Sequence, residues 1–172
     1  MDLPHQKILQ NMKVYGWTVI LVAEGDNLPG WGYSIGLYRT FKHPEVITFG
    51  LPKELTRDVV NCVGDDVKSG KQYSSGNRYP NLLEGALCIF QVVEKIWYKP
   101  FLGQAISFYD GEEFPVLQCI WPDKEQNYPW DWNFNHDWRW AQPLLFHTNP
   151  KQANTTALLC SMGMSFDNEP TS

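Results

Sequence analysis

The sequence predicts an α+β domain: a largely antiparallel sheet of about five or more strands, able to curl towards a barrel, with two or three helices packed on it. Two observations carry this expectation. Short β-branched or apolar runs recur between turn-forming residues, first as WTVILVA at 17–23 and again as EVITFG at 45–50. One longer stretch, from Pro52 to Gly70, instead spaces Leu55, Val59, Cys62, Val63 and Val67 at helical intervals.

Each element follows from its local pattern. Residues 4–13 form a short helix with Ile8, Leu9 and Met12 on one side, and Gly16 ends it. The apolar run at 17–23 is a buried strand. EGDNLPG is dense in turn formers, so the strand at 31–37 returns as a hairpin partner. YRTFKH, between that strand and Pro44, is too short for a docked helix. A third strand occupies 45–50. Pro52 then opens a helix near its first position, where a missing N–H costs little, and Gly70 stops it. KQYSSGNRYPNL is a polar loop. GALCIFQVVEKIW (85–97) reads as a long strand whose mixed alternation suits a bulge. YKPFLGQAISFYDG reads as a helix with Phe101, Ala105 and Phe108 inward, and FPVLQCIW as the last strand.

At 172 residues the chain is expected to be one domain. Its parts are the N-terminal helix, a sheet-and-helix core at 16–121, an aromatic irregular segment at 122–148, and a tail at 149–172 that is mobile at its end. No apolar run approaches the roughly 20 residues needed to cross a bilayer. The stretch MDLPHQKILQNMK lacks an apolar signal core, so a cytoplasmic location is expected. Cys62, Cys88, Cys119 and Cys160 contain no C-x-x-C pair and suit reduced thiols. The net charge of −5 argues against non-specific nucleic-acid binding and favours a basic partner.

Gly32-Tyr33-Ser34-Ile35-Gly36 is a literal match to the G-x-S-x-G elbow of serine hydrolases. An elbow needs a strand before its serine and a helix after it. Here a hairpin loop precedes the strand that holds Ser34, and Pro44 follows too soon, so Ser34 is expected to be a hydrogen-bonded strand residue. Glu45 is placed to orient His43 as a base, or merely to bond with it, because alternate residues of an extended chain share a face. A metal at Asp123, Asp131, Asp137, His136 and His147 would rest on few imidazoles, and none is expected.

The segment YPWDWNFNHDWRW stands apart. Five of the eight tryptophans fall within residues 121–140. Tryptophan, tyrosine and arginine dominate binding hot spots. Trp130, Asp131, Trp132, Asp137, Trp138, Arg139 and Trp140 are therefore the candidate partner-binding residues, the aspartates steering a basic protein. The competing expectation is an aromatic corner folded onto the sheet.

Several short blocks, in order, resemble a bacterial family, the domain of unknown function 4262. They are Gly16-Trp17-x-Val19, Pro29, Tyr33-Ser34-x-Gly36-Leu37, His43-Pro44-Glu45 and Gly50-Leu51-Pro52. Further on come Phe114-Pro115-Val116-Leu117-Gln118, Trp121-Pro122-Asp123, Tyr128-Pro129-Trp130 and Gln142-Pro143. The resemblance spans residues 16–143 and implies a place among proteins of bacterial toxin–immunity systems. A weaker similarity, over 17–51, is to flavin-reductase-like split barrels. It implies FMN, with Ser34, Arg39, Thr40 and Lys42 near its phosphate. The expectation that follows is a cytoplasmic, non-enzymatic immunity protein, without cofactor, that occludes a cognate toxin. A flavin-binding protein or oxidoreductase is the alternative, and a hydrolase built on Ser34 is the third reading.

Overall fold

Side-chain alternation along the strands sets the layers of the protein. The computed structural model describes residues 3–25, 28–155 and 159. Its strands are β1 (Thr18–Val22), β2 (Trp31–Ile35), β3 (Glu45–Phe49), β4 (Arg78–Tyr79), β5 (Cys88–Val92) and β6 (Val116–Ile120). The helices are α1 (Leu3–Tyr15), α2 (Leu37–Phe41), α3 (Lys53–Lys68), α4 (Tyr98–Phe101) and α5 (Gly103–Tyr109), with 3-10 turns at Lys95–Trp97 and His136–Trp138. The six strands form one sheet in the order β1-β2-β3-β6-β5-β4. Every pairing is antiparallel except β3 with β6. The α+β expectation holds. The sheet is open, with β1 and β4 as its edges, and does not close into a barrel.

Both faces of the sheet are covered, which is why the strands read as continuous apolar runs. Trp31, Tyr33, Ile35, Ile47, Phe49 and Val116 pack on one face against Trp97, Tyr98, Phe101 and Ala105. Val46, Leu117, Cys119, Cys88 and Phe90 pack on the other against Val59, Val63 and Val67 of α3. Each buried aliphatic side chain of that α3 stripe contributes about 1.5–3 kcal/mol.

The buried face of α3 also takes in Thr56, Val60 and Gly64. Leu55, expected inside, is exposed because this stripe lies one position further round the helix. Pro52 is the cap residue just before the first turn rather than part of it. Gly64 lies directly against the ring of Trp17, the residue before β1: a Cβ there would lie 2.3 Å from Cε2 of Trp17.

Four further expectations are corrected. The segment after β2 does make a docked helix, the short α2, with Leu37 fully buried; Gly36 (φ 121°) turns the chain in and Lys42 (φ 58°) turns it out. The polar loop at 71–82 contains β4 and buries Tyr73. The long strand expected at 85–97 shrinks to β5, since Gly85 is held at φ 70° on one side and the Glu94 N–H turns away to the Leu145 carbonyl on the other. The single helix expected after Trp97 is two, broken at Leu102 (φ −126°) just before Gly103. No described helix is long and apolar enough to cross a membrane. Of the tail, residues 156–158 and 160–172, with Cys160, lie outside the described residues, as does the expectation of its mobility.

Candidate functional site

The second strand answers the G-x-S-x-G question directly. The β2–β3 ladder ends at Tyr33 opposite Ile47. Beyond it, side chains stand in for ladder bonds. The Val46 N–H donates to Ser34 Oγ at 3.0 Å, and the Ser34 hydroxyl donates to Glu45 Oε2 at 2.5 Å. The other carboxylate oxygen accepts the Gly36 N–H (2.8 Å), the Tyr38 N–H (3.1 Å) and the Tyr109 hydroxyl (2.6 Å). Ser34 and Glu45 are both wholly buried. Burial pushes the Glu45 carboxyl above its usual range; the Ser34, Tyr109, Tyr38 and Gly36 donors oppose that, and burial wins. Tyr109 is raised too, by burial and then by Glu45. Ser34 is thus a buried, hydrogen-bonded strand residue, and this network closes the end of a strand pair.

His43 does not meet Glu45. Its Nδ1–H donates to the Pro44 carbonyl (2.8 Å), and Nε2 accepts the Tyr73 N–H (3.0 Å). Burial, outweighing those two backbone contacts, lowers its pKa and keeps the ring neutral. The residues of the flavin reading are dispersed among other partners. The Thr40 hydroxyl donates to the Gly16 carbonyl (2.6 Å), Arg39 lies 5.3 Å over the Phe108 ring, and Lys42 lies 5.5 Å over the Tyr38 ring.

The aromatic segment is irregular yet firmly tied down. Asp123 is its hub: its carboxylate accepts the N–H groups of Glu125 (2.9 Å), Asn127 (2.9 Å) and Asn135 (3.0 Å), and the Asn127 side-chain amide (3.4 Å). Burial would raise this carboxyl, but the backbone donors of Asn127, Asn135 and Glu125 outweigh it and hold the pKa below the usual aspartate value. Two buried glutamines clasp the far end. Gln142 exchanges hydrogen bonds with the backbone of Trp121, at 3.0 and 2.9 Å. Gln118 on β6 donates to the Pro143 carbonyl (2.6 Å) and accepts from the Leu145 N–H (2.9 Å). Trp121 donates from Nε1 to the Phe49 carbonyl (2.7 Å).

On this base the tryptophans divide. Trp121 is buried, and Trp138 stacks edge-on against it at 5.6 Å, half-buried. Trp130 lies flat on Tyr128 at 5.2 Å with 42% of its surface exposed. Trp132 is 91% exposed and Trp140 64%. Asp131 accepts the Tyr128 N–H (2.8 Å), the Asp137 N–H donates to Asn135 (3.0 Å), and Arg139 lies 2.7 Å from His136 Nδ1. The segment builds a packed corner, as one of the two expectations had it, and leaves three indoles on the outside. Among the described residues no three histidine, cysteine, aspartate or glutamate side chains gather as a metal site would need.

Sequence reasoning passed over a second feature. A groove of about 930 Å³ runs along the outer edge of β1, bounded by α3 and α1. Val19, Leu21 and Thr56 form part of its apolar floor, and Lys53 and Arg57 line it from α3. Gly32, the partner of Leu21 across the ladder, lets Thr56 of α3 pack close to the sheet at this floor: a Cβ there would meet Thr56 Cγ2 at 2.5 Å. An apolar strand with no charge along its length, followed by a helix bearing Lys53 and Arg57, was the signal available in the sequence.

Fold and site together define an α+β domain with a mixed six-stranded sheet, an aromatic platform clasped to its end and a groove along one edge. The family model described as a domain of unknown function (DUF4262) matches residues 11–135, and the chain belongs to that family. The match takes in the groove apart from Lys7, the Glu45 network, and the platform as far as Asn135. No curated protein and no solved structure matches the chain.

Proposed function

We propose that this protein is a non-enzymatic, protein-binding module whose contact surface is the aromatic platform. The observation that supports this reading most is the exposure of Trp132 and Trp140 on a segment that the Asp123 carboxylate and two glutamine clasps hold in place. Large indoles left outside a packed corner carry area and a polar N–H to a partner. Asp131 and Asp137 beside them, with a chain charge of −5, favour a basic protein. The finer reading is an immunity protein that neutralises a toxin by covering its working surface.

The test compares the wild-type chain with the Trp132→Ala, Trp140→Ala double variant. Each is used to capture partners from the native host, and the protein lost by the variant is then expressed alone. On this reading, that protein arrests growth, wild type relieves the arrest and the double variant does not. A captured protein that is harmless, or that binds the variant equally well, would remove the immunity reading or the surface, respectively.

A further inference from the structure

The two edges of the sheet are built differently. An unpaired edge offers a row of free N–H and C=O groups, which proteins blunt with short strands, charge or proline. β4 is blunted in all three ways: it has two residues, one is Arg78, and Pro80 follows. β1 is not. It is five residues long, carries no charge from Thr18 to Val22, and pairs with β2 alone. The groove runs along this open edge. Three cations line it, Lys7, Lys53 and Arg57, and none makes a salt bridge among the described residues. Glu24 and Asp65 also line it, so the groove carries a cationic excess in a chain whose total charge is −5.

We propose that β1 accepts an extended segment of a partner protein as an added strand, and that this segment carries carboxylate side chains directed at Lys53 and Arg57. Alternation along β1 places Val19 and Leu21 on the α3 side of the sheet. A strand laid beside β1 puts every second side chain over that same side, in the space between Leu21 and the two α3 cations. The main chain supplies affinity through the ladder, and the alternate side chains supply selectivity. This surface is separate from the indole platform and stands or falls independently of it.

The probe is a capped valine–glutamate–valine–glutamate–valine peptide added to the full chain, read by amide hydrogen exchange. Peptide binding slows exchange at β1 amides that face the groove. Replacing the glutamates by lysine abolishes the effect, and Lys53→Glu with Arg57→Glu weakens binding by about tenfold. Backbone N-methylation at one set of alternate peptide residues abolishes binding, while methylation of the other set is tolerated, because only one set faces β1. Three outcomes would overturn the proposal: unchanged β1 exchange at saturating peptide, equal effects of the two methylation sets, or protection of the same amides by concentration-dependent self-association of the chain, which would make a second copy the occupant.

Discussion

Glu45 makes the strongest quantitative demand on this fold. Glu45→Ala would strand four donors at once: Ser34, Gly36, Tyr38 and Tyr109. A buried donor left without a partner costs about 1–3 kcal/mol. Counting only the fully enclosed Ser34 hydroxyl and Gly36 N–H gives about 2–6 kcal/mol, a large part of a typical domain's stability. Glu45→Gln is far milder. Its amide oxygen keeps the three donors that now reach Oε1, and its amide group faces Ser34 Oγ, so the expected cost is about 1 kcal/mol. The two variants also separate in pH. Because burial raises the Glu45 pKa above its ordinary 4.5, the folded chain keeps a proton that the unfolded chain has released. The stability from this group is fully present below that ordinary value and is lost as pH rises through the raised one. Glu45→Gln has no proton to lose, so its stability falls less over that window. Urea unfolding followed by tryptophan fluorescence, repeated from acidic to mildly alkaline pH, reads both effects. A Glu45→Ala protein within about 1 kcal/mol of wild type would refute the network, as would a Glu45→Gln protein with the wild-type pH slope.

Other expectations follow from the same geometry. Gly64→Ala gains about 1 kcal/mol of helix propensity but drives a methyl into Trp17, and overpacking of that kind costs about 1–3 kcal/mol; a net loss in urea unfolding is expected, and a gain would refute the tight Trp17–α3 contact. Asp123→Ala frees three backbone N–H groups and should speed amide exchange across residues 125–135 while the core amides stay protected. The depressed Asp123 carboxyl contributes stability above its ordinary 3.8 that is lost as pH falls through the lowered value, so the alanine variant should lose less on acidification than wild type. Trp132→Ala with Trp140→Ala should change unfolding free energy by less than about 1 kcal/mol while weakening partner binding by several, measured by denaturation and calorimetry.

Much of the fold was legible where local chemistry and tertiary burial agree. Val46 to Phe49 are β-branched or bulky and buried on both faces, so pattern and outcome coincide; Val19 to Val22 carry the same pattern but, in an edge strand, are only half-buried. Val59, Val63 and Val67 likewise announce α3. Leu55 was misplaced because an apolar residue on a helix is informative only in company, and the decisive neighbours included Thr56 and Gly64, which hydropathy passes over. α2 was missed because a one-turn helix is made by the glycine before it and the left-handed residue after it, not by periodicity. The clasping role of Gln118 and Gln142 and the bond from Ser34 to Glu45 join residues that only the folded chain brings together. Whether an indole faces inward or outward is decided by what lies beneath it: Trp138 found Trp121, whereas Trp132 is left almost entirely open to solvent.

The glutamine clasps carry a thermodynamic consequence for recognition. They fasten the segment's return to the sheet through side-chain amides, while Asp123 fastens its start. The backbone beneath Trp132 and Trp140 is therefore fixed when the chain folds. Ordering a backbone costs about 1–2 kcal/mol of entropy per residue. A loose loop would incur that loss on every encounter with a partner; on the function proposed above it falls once, at folding, and only the rigid-body, side-chain and desolvation costs are left to contact.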